Sequence, residues 1–158
     1  MKRNTKLILL AFISGIVGFL LHKPFMTLSI SLLNIGNNHL TTLSTNELLY
    51  EHIIFSLSIG LIPILLLIKD RILLEDSFSL KKDLVSSAII LVSGLIVWQL
   101  RIFQLNQEIY EIASNPLSEN AIINNTFLFS NLRFSLYLIF GFVIGGVVSG
   151  ILTKQLKI

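Results

Sequence analysis

The chain has 158 residues, of which 53% are hydrophobic and only 13% charged; its mean hydropathy is +0.80 and its net charge +3. Soluble domains carry about 25% charged residues, so a soluble fold of this size cannot hide so much apolar surface, and lipid is the matching solvent. The absence of cysteine excludes disulfide exchange and thiolate metal sites.

The first apolar run, LILLAFISGIVGFLL at 7–21, follows the basic stretch MKRNTK. That arrangement has the outline of a secretory signal, but HKPF follows it and no small-x-small cleavage site is present. We read it as an uncleaved first span over about 6–23. Residues 24–48 are expected as a loop, in which FMTLSISLLNIG suits a short amphipathic helix lying along the interface. The second span is expected over 49–68, around IIFSLSIGLIPILLLI, with Pro63 predicted to kink it. A short charged loop follows at 69–83.

The third span is expected over 84–102, with LVSSAIILVSGLIVWQL at its centre. In the loop at 103–132, QLNQEIYEIAS is suited to extend the third helix until Asn115-Pro116 stops it. The fourth span, over 133–153, holds FSLYLIFGFVIGGVVSGILT and reaches the roughly 20 residues that a spanning helix needs. The expected fold is therefore an all-α polytopic membrane protein, a single membrane domain with four transmembrane helices.

Basic residues orient such a chain. With the N-terminus in the cytoplasm, the inner segments hold Lys2, Arg3, Lys6, Lys69, Arg71, Lys81, Lys82, Lys154 and Lys157 against Asp70, Glu75, Asp76 and Asp83, a net +5. The outer segments hold Lys23, Arg101 and Arg133 against Glu47, Glu51, Glu108, Glu111 and Glu119, a net −2. Both termini are expected to be cytoplasmic, in a bacterial inner membrane. Trp98 and Tyr50 fit an outer aromatic belt.

Intramembrane chemistry usually needs an ionisable group at depth. Within these limits the middle of every span lacks Asp, Glu, Lys, Arg and His. The polar groups at depth are Ser14, Ser56, Ser58, Ser86, Ser87, Ser93, Tyr137 and Ser149, and serine is expected to bond its own helix. His22, His39 and His52 show no i,i+4 pairing. Glu47 and Glu51, one turn apart beside His52, suit a solvated acidic helix end better than a metal or proton site. There is no phosphate-binding loop and no nucleophile elbow. We expect no catalytic centre, metal or cofactor, and no nucleic-acid partner.

The fourth span carries GFVIGGVVSG, four glycines in ten residues. Each glycine costs a helix about 1 kcal/mol relative to alanine, so close packing has to offset them. Helices in lipid associate through small residues that let backbones approach. Gly141, Gly145 and Ser149 form one strip, with Gly146 and Gly150 beside it. Ala11, Gly15 and Gly18 of the first span, or Ser56 and Gly60 of the second, offer matching surfaces. The strip suits packing within the bundle, or docking on a larger membrane protein or a second copy.

The function expected is a non-enzymatic one, exercised through helix–helix contact with a membrane partner, as an accessory subunit or immunity-type protein. In size and architecture the chain resembles the immunity proteins that protect bacteria from pore-forming colicins. The alternatives are a small transporter or channel, with Pro63 and the serine faces along its path, and a lipid-headgroup enzyme using Glu47, Glu51, His52, Arg101 or Arg133.

Overall fold

A computed structural model describes residues 3–34, 40–41, 45–73, 80–114, 127–128 and 132–155. His39, Asn115-Pro116 and Glu119 lie outside the described residues, as do the side chains of Glu47, Asp70, Arg71, Glu75 and Asp76. Four helices dominate: α1 (Arg3–Ser31), α2 (Thr45–Leu73), α3 (Leu80–Ser114) and α4 (Phe134–Gln155). Each is long and apolar enough to cross a bilayer, over Thr5–Ser31, Leu49–Lys69, Lys81–Glu111 and Phe134–Lys154. In lipid a backbone must satisfy its own hydrogen bonds, so these runs have no alternative to the helix. Four crossings put both termini at one end of the bundle, here called the termini side; the other is the far side.

The helices exceed the extents read from the sequence. α1 does not stop near Lys23; it continues through Pro24 to Ser31, so residues 25–31 of the stretch expected along the interface form its far-side end. Asn106 of α3 closes that end: its Nδ2 donates to Leu32 O at 3.2 Å, and its Oδ1 accepts from Asn34 N at 2.8 Å. The bonds satisfy backbone groups that every helix end leaves open. α2 likewise runs unbroken past a buried Pro63. α3 opens with Asp83 in its first turn and α4 closes with Lys154 in its last, each matching the helix dipole. Arg133 takes a left-handed conformation, φ 47°, and its carbonyl accepts from Leu136 N and Tyr137 N to start α4.

Packing is most extensive between α1 and α2 and between α3 and α4; α2 against α4 joins the two pairs. Two-residue strands β1 (Leu40–Thr41) and β2 (Phe127–Leu128) pair in parallel on the far side. The apolar core is densest there too, where Met26, Leu33, Trp98, Ile102, Leu105, Leu132, Phe134 and Leu138 are buried together.

Candidate functional site

The small-residue strips come first, because they set which helices touch. A Cβ built on Gly141 would stand 2.6 Å from Gly94 Cα and 2.8 Å from Ser93 O; one on Gly145 would stand 2.7 Å from Ile90 Cα. These two glycines therefore lie directly on the backbone of α3. Gly94 is in turn covered by the ring of Phe142. Gly146 and Gly150 face α2 instead, at Leu65 and Lys69. Ser149 is fully buried, and its carbonyl accepts from Thr153 Oγ1 at 2.7 Å.

Ala11, Gly15 and Gly18 do not meet α4. They pack on α2, where Gly60 faces the Ala11 carbonyl, Gly15 faces Ser56, and Gly18 faces Ile59 and Ser56. The glycine at 15 leaves its carbonyl open, so Ser56 Oγ donates across the helices to Gly15 O at 2.6 Å rather than within its own helix. Ser58 and Ser87 do bond their own helices, at Phe55 O and Asp83 O. Ser86 instead accepts from Lys69 Nζ at 2.8 Å, and both side chains are buried.

On the far side the helices bring together groups that the sequence limits had placed at the surface. His22, Met26 and Ser29 are buried along one face of α1, at helical spacing, and Leu33 just beyond its end is buried too. Glu51, Ile54, Phe55 and Ser58 form the corresponding face of α2. The His22 ring lies 3.8 Å from that of His52, centroid to centroid. Phe19 contacts His52 at 5.3 Å and Phe55 contacts His22 at 5.5 Å. Phe25 then links Phe55, at 4.6 Å, to Trp98, at 5.6 Å. Six rings thus run across three helices. Trp98 ends the run as a buried anchor, its Nε1 donating to Ser29 Oγ at 3.0 Å; this is not the belt position expected for it. Tyr50 is exposed.

Glu51 is buried, not a solvated helix end; Ser135 of α4 donates to its Oε2 at 3.2 Å. His52 stands seven residues from the midpoint of Leu49–Lys69. At 1.5 Å per residue that is about 10 Å, inside the roughly 15 Å half-thickness of a bilayer core. The imidazole pair and Glu51 therefore lie inside the apolar segments, toward their far-side ends. The first span was ended at residue 23 in the sequence reading, which left His22 at a helix end, whereas α1 continues past it to Ser31. The available signal was the stripe His22, Met26, Ser29, Leu33, which keeps helical period through Pro24.

Arg101 is held in place by three groups: it donates to Leu132 O at 3.3 Å, bonds Glu108 at 3.4 Å, and sits 5.0 Å over the Tyr137 ring. Arg101, Glu108, Tyr137 and Arg133 line a surface pocket of about 500 Å³. Among the described residues no three His, Asp or Glu side chains are grouped to hold a metal ion. Chemically, the imidazole pair and the buried carboxyl can take up or pass a proton.

Fold and site together define an integral multi-pass membrane protein of four helices. No protein-family model, no curated protein and no solved structure matches the chain.

Proposed function

We propose that this protein acts without catalysis, through contact between its helices and a larger membrane protein, as an accessory or immunity-type protein of a bacterial cytoplasmic membrane. The observation that supports this is the position of α1. Of its spanning window 11% is buried, against 28% for α2 and α3 and 33% for α4. Beside it runs an open groove of about 600 Å³ between α1 and α2. Ala11, Gly15 and Gly60 floor the groove, and Phe12, Ile16 and Leu57 wall it. A small-residue floor between bulky walls is the form that accepts a further helix in lipid.

Phe12 and Leu57 are 70% and 65% exposed, so replacing both by alanine removes two of the three walls without touching the internal packing. Purification in mild detergent followed by mass spectrometry should find a larger membrane protein with the natural chain. The Phe12→Ala/Leu57→Ala variant should stay monodisperse and lose it. Equal retention by both chains would overturn the reading.

A second reading, a small proton-linked transporter, is favoured by His22 of α1 lying beside His52 and Glu51 of α2 within the apolar segments, with Ser135 of α4 on the carboxyl. Ionisable side chains within spans commonly mark such paths. Proteoliposomes containing this chain alone, with a trapped pH dye, decide it: proton movement that His22→Phe abolishes supports transport, and a flat signal dismisses it.

A further inference from the structure

The far-side contact between α1 and α2 has an ionisable group at its centre. His22 is 1% exposed, and neither of its ring nitrogens has a hydrogen-bond partner among the described residues. Its ring meets that of His52 at 3.8 Å, centroid to centroid, and that of Phe55 at 5.5 Å. One turn away, Gly18 brings α1 onto Ile59 and Ser56 of α2, so the two backbones stay close beneath the rings. His52 is half-buried. It stands three residues inside Leu49, the far-side end of its apolar segment, so protons reach the pair from the far-side water.

A proton on His22 would find no described group to balance it. On α1, Lys23 is exposed, and the residues one turn to either side, Gly18, Phe19, Phe25 and Met26, carry no charge. On α2, Glu51 is the adjacent acid, but Ser135 of α4 holds its carboxyl and Arg133 acts on it. From α3 the approach is through Trp98 and Phe25, and the α3 charges Arg101 and Glu108 bond each other. Among the described residues the charge that acts on His22 is that of His52, which has the same sign. An imidazolium here is thus a buried charge without an acceptor, which is costly, and a second proton on His52 repels it. Neutral rings can pack in this contact and charged rings cannot. α1 is the helix placed to respond, because its spanning window is the least buried of the four and it packs mainly on α2.

We propose that the His22–His52 contact is a proton-operated clasp: it holds the far-side end of α1 on α2 while both rings are neutral, and releases it as the far-side water turns acidic. Release also shifts Phe19, which touches His52 and lines the α1–α2 groove, so docking in that groove becomes pH-dependent. That consequence rests on the docking reading; the clasp itself rests on the ring contact and carries no proton across the bilayer.

Trp98 is the single tryptophan of the chain and reports the clasp. It is 8% exposed, bonded to Ser29 and packed on Phe25, both of α1. Acrylamide quenching of its emission is followed in mild detergent from about pH 8 to about pH 4, a range that brackets ordinary imidazole titration. The natural chain should be shielded at the neutral end and become quenchable in one reversible step as the pH falls. His22→Phe, which takes no proton, should stay shielded over the same range. Glu51→Gln, which keeps an acceptor for Ser135, should retain the step. A natural chain that stays shielded throughout sinks the proposal, and so does a step that persists in His22→Phe or vanishes in Glu51→Gln. If His22→Phe does not fold, His22→Gln, uncharged at every pH, replaces it and is read in the same way. The assay contains no partner protein, so loss of the step leaves the docking reading standing, and failure of docking leaves the clasp standing.

Discussion

The imidazole of His22 meets that of His52 with centroids 3.8 Å apart and ring planes tilted by 46°, within the spanning parts of α1 and α2. Neither ring nitrogen of His22 has a hydrogen-bond partner among the described residues. An unpaired buried polar group costs about 1–3 kcal/mol. His22→Phe keeps a ring of similar shape against His52 and Phe55 and removes the unpaired nitrogens. Thermal denaturation in detergent should show a variant as stable as the natural chain or more so. A destabilised His22→Phe would mean that the imidazole nitrogens make a bond that holds the fold.

Gly141 and Gly150 share a helix but not an environment. An added methyl at 141 runs into the Gly94 backbone, whereas one at 150 finds an ordinary contact at 3.9 Å. Gly141→Ala should therefore force α3 and α4 apart, at the roughly 1–3 kcal/mol typical of overpacking. Gly150→Ala should be neutral or slightly stabilising, since alanine is the better helix former. Melting temperatures of the two variants, measured side by side, check the contrast. Equal behaviour would refute the packing register described for α4.

Ser29 joins α1 to α3 by accepting from the Trp98 indole while donating to Phe25 O at 2.8 Å. Interhelical side-chain bonds in membranes are worth about 0.6–2 kcal/mol. Ser29→Ala should cost that much in the natural chain and much less in a Trp98→Phe background. A double-mutant cycle on unfolding free energy measures the coupling, and a coupling of zero would remove this bond as a tie between the helices.

Orientation rests on the charge split of +5 against −2 about the four spans. Thr5 and Ser114 are both exposed and lie near opposite ends of the bundle. In intact cells an impermeant thiol reagent should label Ser114→Cys, while Thr5→Cys should react after permeabilisation only. The reverse pattern would place the termini outside.

The four helices were legible in the amino-acid sequence, because lipid leaves a long apolar run no alternative to the helix; the short strands β1 and β2 were not. The small-residue strips at Gly141, Gly145 and Gly15 were legible for a related reason, since in lipid they mark where backbones approach. Their pairing was not. Several strips of similar shape occur in the chain, and nothing local assigns Gly141 to Gly94 rather than to Gly15. The continuation of α1 through Pro24 also escaped a local reading. Asn106, 72 residues after Asn34, receives that helix end, and a proline lowers helix propensity without regard to what waits beyond it. From that continuation came the burial of His22, and from the approach of α4 came the burial of Glu51 beside Ser135. Composition and period determined that the chain is four apolar helices. Only the tertiary structure decided which faces meet, and so which polar groups lie inside the bundle, because that choice depends on shape shared between residues far apart in the chain.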